Sequence, residues 1–441
     1  MARARILAAL LVVAAVKQVF LVVAVAPFQG HDEVAHLGYL WTIDRYRRLP
    51  TLADNLPAAL EAYSRYTLDW PALYTANHPP LYYLLAWPVY RLAGPHPLAQ
   101  LYAVRLLGIL PFLLTVWLAY RLATTLFPGD DFLALTVPAA VAFQPQLGFE
   151  GAIVNNDILS VCLGAALLWL CAAALRAGLT PPRALALGVA LGLGLLTKAT
   201  LTAFLPLAAG VGLWCRWPRP WRRVREGAWW RGTLARAAAV IGPAVLLPLP
   251  WYLFLRRTYG DLSAARALQA LQATWNPPAG SFGELLLSEA FHRERIHEYW
   301  GFYGWKLFPL TPNELHAVHA GLLLCGIGLL VGVGRVLYEG RLRLREGCPP
   351  VDGAPAAAVA LLFAANVLLY GLMIYLGTVL FITQSRYIFP VVAATAMVAM
   401  LGLRALVPRP LLGPAAALTI ATLAMFNLLL LTKLLIPYAL R

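Results

Sequence analysis

The chain has 441 residues, 61% of them hydrophobic and 12% charged, with a mean hydropathy of +0.69. Soluble domains are nearer half apolar and a quarter charged, so this composition excludes an ordinary soluble protein and indicates a polytopic membrane protein. Lys and Arg exceed Asp and Glu by 35 to 20, a formal charge of +15, but the basic residues fall in short loops between apolar runs. That is the pattern of membrane orientation, and nucleic acid is not an expected partner.

The N-terminal run from Ile6 to Ala26 follows Arg3 and Arg5 and ends in an A-x-A pattern. It is long for a signal peptide, and Pro27 would stand just past the cut, so a retained first span is expected. Apolar runs long enough to cross a bilayer lie at 6–27, 99–122, 131–150, 157–176, 236–256, 317–338, 356–381, 386–405 and 411–435. The stretch 183–214 is too long for one span and reads as two short helices, 183–197 and 199–214, turning at Thr197-Lys198. The fold class is therefore an all-α bundle of about eleven transmembrane helices. It divides into a catalytic module, 1–214, and a C-terminal module, 215–441. The five cysteines (Cys162, Cys171, Cys215, Cys325, Cys348) form no CxxC pair, and neither a disulfide framework nor a zinc site is expected.

With Arg3 and Arg5 in the cytoplasm, the inner loops carry Arg121, Arg176, Arg183, the seven arginines from Arg216 to Arg236, and Arg335, Arg341, Arg343, Arg345, Arg404 and Arg409. Two long loops, 28–98 and 257–316, then face outward. The segment His78–Gly94 must not cross, or every later loop would change sides. Its seventeen or so residues span about 25 Å and include Pro88. It reads as an outer-leaflet helix capped by Asn77 or His78, with Pro79-Pro80 in its first turn. Glu33–Arg48 has Val34, Leu37, Leu40 and Trp41 at helical spacing against Asp44, Arg45, Arg47 and Arg48, the pattern of an amphipathic helix in the headgroup plane. Tyr299-Trp300-Gly301-Phe302-Tyr303-Gly304-Trp305-Lys306 reads as an interfacial aromatic belt or as the lining of a sugar or acceptor site.

On this thread four polar sets reach one membrane face. They are Asp32, Glu33 and His36, the first and last spaced i,i+4; His78 with Pro79-Pro80; Asn156 and Asp157 at the start of the fourth span; and Lys198 with Arg386. Each has a structural alternative. The acids would end a helix in water, His78 or Asn156 would cap one, Lys198 would snorkel, and Arg386 would anchor to lipid phosphate. Their shared location favours chemistry. Glycosyl transfer from a polyprenyl-phosphate sugar fits, because an acceptor hydroxyl needs a carboxylate to take its proton and the departing phosphate needs cations. A single base with no covalent intermediate implies inversion. A transporter or flippase is the alternative, but it would place charges near mid-bilayer and often shows repeats. A metalloprotease reading fails because Asp32 stands where H-E-x-x-H needs its first His.

At these residues the chain resembles the lipid-dependent GT-C glycosyltransferases, most of all the protein O-mannosyltransferase and aminoarabinose transferase branch. The resemblance rests on Asp-Glu-Val-x-His at 32–36, His78-Pro79-Pro80, Asn156-Asp157 and Ser385-Arg386-Tyr387 before Pro390, in that order. It implies a multi-pass cell-envelope enzyme with its site on the outer face. Asp32 would be the catalytic base and Glu33 its support. His36, His78, Asn156, Asp157, Lys198, Arg386 and Tyr387 would bind a polyprenyl-phosphate sugar donor, and a hydroxyl compound would be the acceptor. Some relatives bind a divalent cation at the acidic pair; Asp32 and Asp157 are the residues that could hold one here, but the sequence shows no dedicated ligand set and no metal cofactor is assigned.

Overall fold

The computed structural model describes residues 2–63, 72–216, 227–273, 280–303, 308–345, 354–381 and 383–432. The sequence readings on Arg219, Arg222, Arg223, Arg225, Gly304, Trp305, Lys306 and Cys348 lie outside these residues. The described chain is almost wholly helical. In order it forms α1 (Ala2–Ala24), α2 (Glu33–Tyr46), α3 (Ala58–Glu61), α4 (Leu81–Leu92), α5 (Pro97–Leu107), α6 (Ile109–Leu126), α7 (Asp131–Ala142), α8 (Pro145–Glu150), α9 (Asp157–Ala177) and α10 (Pro181–Leu195). Then follow α11 (Phe204–Arg216), α12 (Gly227–Leu246), α13 (Leu249–Tyr259), α14 (Ala265–Gln272), α15 (Phe282–Leu287), α16 (Glu289–Gly301), α17 (Pro312–Arg345), α18 (Ala354–Leu380), α19 (Val392–Leu406) and α20 (Leu412–Leu430).

Seven helical segments among the described residues are long and apolar enough to cross a membrane: α1, α5 with α6, α9, α17, α18, α19 with the turn before it, and α20 with the turn before it. The expected span 236–256 is a bent pair, α12 and α13, with a 44° bend. Pro248 and Pro250 lie at the break, where they cannot continue a straight hydrogen-bonded ladder. The other three expected spans are shorter apolar helices, at 131–142, 181–195 and 199–215. Exposed Val12, Val16, Val23, Leu330, Val336 and Leu418 coat the outside, as lipid-facing side chains do.

The largest apolar core runs from Leu10 to Ala416 and so draws on both sides of residue 214. Small residues bring its helices close. A methyl group built at Gly188 or Gly192 of α10 would meet the carbonyls of Val240 or Pro243 on α12, the small-xxx-small contact of membrane helices. Arg3 pairs with Asp131, and Arg404 with Asp130. The loops that the thread assigns to one side thus meet at the end of the bundle opposite Asp32.

Two expectations about the first long loop need correction. Helix α2 is not an interfacial amphipathic helix with one wet face. Ala35, His36, Leu37, Gly38, Tyr39, Leu40, Thr42 and Ile43 are all buried, because α4 and the turn Tyr74–Asn77 both pack against the helix, and only Arg45 and Tyr46 in its last turn are exposed. Helix α4 has only 12 residues, about 18 Å, and is too short to cross. Its cap is neither Asn77 nor His78. Pro80 holds the N-cap position without a side-chain bond, and the first N–H of the helix, on Leu81, donates to Leu196 O at 3.0 Å. His78 is thereby released for other contacts.

One buried ion pair ties these pieces together. Arg105 on α5 is fully buried. Its Nε and Nη2 donate to Glu33 at 2.8 and 2.6 Å. Its remaining donors go to Val22 O (3.0 Å), Val25 O (2.6 Å) and Ala26 O (3.0 Å). Those are the last carbonyls of α1 and the residues just after it, where unpaired acceptors and the helix dipole favour a cation. Glu33 also accepts from Gly30 N and Val154 N, each at 2.9 Å. Removing one member leaves the other charge buried and alone, which typically costs about 3–5 kcal/mol. Arg105→Leu is therefore expected to lower the thermal unfolding midpoint in detergent sharply, whereas Arg91→Leu on α4 leaves it nearly unchanged.

Candidate active site

The residues Gly30 to Glu33 form a tight corner between α1 and α2. Asp32 sits there in the left-handed region, φ 59°, which Asp tolerates better than most side chains. Three consecutive side chains then diverge. His31 lies 3.6 Å from Glu150, Asp32 turns into a cavity, and Glu33 turns to Arg105. The cavity is about 1000 Å³, and Asp32, His36, His78, Asp157, Lys198 and Arg386 contribute to its lining.

Charges of alternating sign run along its polar wall. Arg386 Nη2 donates to Asp32 Oδ2 at 2.6 Å. Its Nη1 lies 3.7 Å from Asp157 Oδ2, and the other Asp157 oxygen pairs with Lys198 Nζ. Tyr74 Oη donates to Asp32 Oδ1 at 2.8 Å. Lys198 Nζ also lies 4.7 Å from the centre of the Tyr387 ring, a cation–π contact. Segments more than 350 residues apart in sequence thus deliver one Lys–Asp–Arg–Asp chain to the same end of the bundle. Arg386 Nε and Nη1 are buried without a hydrogen-bond partner among the described residues.

The approach of α9 positions Arg386. Gly164 lies against Pro390 O, and a methyl group built there would overlap it. Only glycine lets the turn Ser385–Val391 sit this close to the helix that carries Asp157. Asn156 is not a side-chain cap of α9. Its Nδ2 donates to Thr197 O at 3.0 Å, tying the start of α9 to the turn that presents Lys198. Lys198 does not snorkel, being only 8% exposed.

His36 and His78 share one partner: their Nδ1 atoms lie 2.8 and 3.1 Å from Tyr83 Oη. A hydroxyl has one proton to donate, so one imidazole accepts it and the other donates its own Nδ1–H. Burial pushes His36 down to about 4, against the pull of Asp32 and Asp157, and pushes His78 well below its usual range. Both are neutral at pH 7. Burial also lowers Lys198, opposed by Asp157. For Asp32 burial acts upward, but Arg386, then His36, and the hydrogen bonds from Arg386 and Tyr74 outweigh it and hold the carboxyl below the usual carboxylate range. Asp32 is a carboxylate with its basicity suppressed by its neighbours.

Sequence reasoning groups Glu33 with the catalytic acids. The structure gives both its oxygens to Arg105 and to backbone N–H groups, which leaves no lone pair suited to accepting a proton from a substrate. Glu33 is anchored to Arg105 and the backbone, next to Asp32 in the chain. The residues that the sequence reading missed are Arg105, Tyr74 and Tyr83. A charged residue at mid-span marks Arg105, and the two tyrosines carry no pattern of their own. The donor set does not fit a divalent cation on Asp32 and Asp157. The Arg386 guanidinium already occupies the space between them, and among the described residues no three His, Cys, Asp or Glu side chains group as metal ligands.

Comparison with known proteins bears on this geometry. The profile of the family described as dolichyl-phosphate-mannose-protein mannosyltransferase matches residues 77–246, a stretch that holds His78, Asn156, Asp157 and Lys198 but neither Asp32 nor Arg386. No protein of curated function matches the chain. The structure of ArnT from Cupriavidus metallidurans bound to undecaprenyl phosphate is similar over 98% of this chain and 73% of its own, at 15% identity and a TM-score of 0.51. The S. cerevisiae protein O-mannosyltransferase Pmt1-Pmt2 complex bound to the sugar donor is similar over 58% of this chain and 34% of its own, at 16% identity and a TM-score of 0.43. The Archaeoglobus fulgidus oligosaccharyltransferase in the apo form is similar over 98% of this chain and 55% of its own, at 13% identity and a TM-score of 0.44. The chain therefore spans only part of each of these structures, about a third of the yeast one. The likeness to ArnT shows a shared fold.

The paired charges make a prediction about stability. Asp157→Ala leaves Lys198 and Arg386 as neighbouring buried cations and is expected to cost about 3–5 kcal/mol. The double substitution Asp157→Asn with Lys198→Met recovers most of that loss, as read by thermal unfolding in detergent.

Proposed function

We propose that this chain, a glycosyltransferase of the GT-C superfamily, moves a sugar from a polyprenyl-phosphate donor to a hydroxyl acceptor at the outer membrane face, with inversion at the anomeric carbon. The supporting observation is that Arg386 bridges Asp32 and Asp157 while two of its nitrogens remain without hydrogen bonds. A guanidinium so placed has N–H donors left to offer the oxygens of a phosphate. Lys198 stands beside it, linked through Asp157. The rest of the cavity supports a lipid-borne donor: Leu372, Leu376 and Val379 on α18, Trp251 and Leu255 on α13, and Leu268 on α14 form an apolar wall continuous with the polar one.

The chemistry then follows. The acceptor oxygen attacks the anomeric carbon, and its proton passes to Asp32. The bond from that carbon to the phosphate oxygen breaks, and the polyprenyl phosphate leaves with the electron pair. Arg386 and Lys198 offset the charge that develops on it. The same guanidinium that suppresses the basicity of Asp32 in the empty site is the one drawn to the phosphate. Donor binding therefore relieves Asp32 of part of its counter-charge and raises its proton affinity when an acceptor is to be deprotonated. Without donor, Asp32 is a poor base.

Two outcomes are expected. Asp32→Asn lowers transfer from a labelled polyprenyl-phosphate sugar by about 100- to 10,000-fold while the protein still inserts in the membrane; turnover at the wild-type rate would refute the assigned base. In the pH profile of kcat/KM the acid limb of the wild type lies below the usual carboxylate range, because Asp32 must be ionised to act and its carboxyl is depressed. In Arg386→Gln the largest downward influence is gone and burial acts upward, so the acid limb of the residual activity moves to higher pH.

A further inference from the structure

Arg386 is carried by the turn Ser385–Val391, and the groups that fix the start of this turn come from the second long loop, on α16. Ser385 N donates to Glu298 Oε2 at 3.0 Å, and Ser385 Oγ lies 3.3 Å from the same oxygen. Ser385 Oγ donates to Arg295 O at 2.5 Å. The Arg295 side chain donates to Thr383 O and pairs with Glu298 at 3.2 Å and Glu294 at 2.8 Å. Arg295 and Glu298 are 3% and 7% exposed. One residue further along α16, Tyr299 packs on Phe389, ring centres 5.1 Å apart. On its other side α16 is tied to α8, where Gln144 donates to Tyr299 O and Phe302 N donates to Gln146 Oε1 at 3.0 Å.

Two buried charges on a loop helix are a costly way to hold it against the bundle. An apolar contact of the same size would serve stability as well. What the ionic contacts add is direction. They grip backbone atoms at Thr383 and Ser385, the latter immediately before Arg386, and so set the angle from which the guanidinium leaves the chain. Functional groups gain precision when a supporting shell locks the backbone beneath them. Arg386 has to lie within reach of Asp32, Asp157 and a phosphate at once, and a displacement of about 1 Å at such a point is costly.

We infer that Glu298 and Arg295 are positioning residues which set Arg386 between Asp32 and Asp157, so that α16 governs the phosphate affinity of the site. This rests on the proposed reading of Arg386 as the phosphate-binding cation. The test measures binding of undecaprenyl phosphate, without sugar, to the full-length purified protein in detergent. Glu298→Ala, Arg386→Ala and the double variant form a cycle. Glu298→Ala is expected to weaken binding about 10-fold and Arg386→Ala about 50-fold, with the double variant no weaker than Arg386→Ala, because Glu298 acts through Arg386. Glu298→Gln keeps an acceptor for the Ser385 N–H and is expected to bind within about 3-fold of wild type. Should Glu298→Ala fail to fold, Ser385→Ala, which removes only the hydroxyl contacts, carries the same cycle with a loss of about 3-fold. Additive losses, or unchanged binding in Glu298→Ala while Arg386→Ala still loses affinity, overturn the positioning role and leave the reading of Arg386 standing. Wild-type binding by Arg386→Ala overturns that reading and this inference together.

Discussion

The interaction on which the site depends is the buried pair of Glu33 and Arg105. Both are buried, and between them they make seven hydrogen bonds that join four stretches of chain: the end of α1, the corner before α2, α5, and the segment leading into α9. A guanidinium presents five donors in a fixed plane, so satisfying all of them dictates where its partners lie. Asp32 follows from this geometry. With Glu33 pinned on one side, Asp32 is left in a left-handed conformation with its carboxylate pointing the other way, toward Arg386. A charge buried this fully is tolerated because every bond is made.

The second organising feature is the sharing of one cation by two acids and, in the proposed reaction, by a phosphate. A single guanidinium cannot fully serve three anions. In the empty site Asp32 holds the closest contact and stays ionised with little tendency to take a proton. In the proposed reaction the proton affinity of Asp32 therefore depends on whether a phosphate shares its cation. Neutral His36 and His78, bound through Tyr83, keep the surroundings of Asp32 polar without adding a permanent positive charge.

Much of the architecture was legible before any coordinates. The apolar runs give the helices, and the basic loops give a thread in which Arg3, Arg404 and the loop at 129–131 share an end, as their ion pairs require. Asp32, Glu33, His36, His78, Asn156, Asp157, Lys198 and Arg386 read as one cluster because charge near lipid is costly and four polar sets at one face are hard to ascribe to chance. The misreadings have a common origin. The apolar spacing of α2 reads as an interfacial helix, but α4 and the 74–77 turn pack against it and bury it from Ala35 to Leu40, leaving Arg45 to Arg48 at its end exposed. Asn77 or His78 reads as the cap of α4, but a neighbouring helix end supplies its acceptor. Glu33 reads from its adjacency as the support of Asp32; at the tight corner its side chain turns the other way, to Arg105.

What the sequence alone determined is that the chain spans a membrane repeatedly, roughly where it does so, and which ionisable residues gather at one end. Hydropathy and charge are properties of single residues and short windows, and a bilayer acts on them directly. That Glu33 turns to Arg105 while Asp32 turns to Arg386, that one cation lies between two acids, and that α16 grips the backbone beside Arg386 were decided only by tertiary structure. Those assignments depend on contacts between residues tens to hundreds of positions apart, at distances where about one ångström separates a hydrogen bond from none.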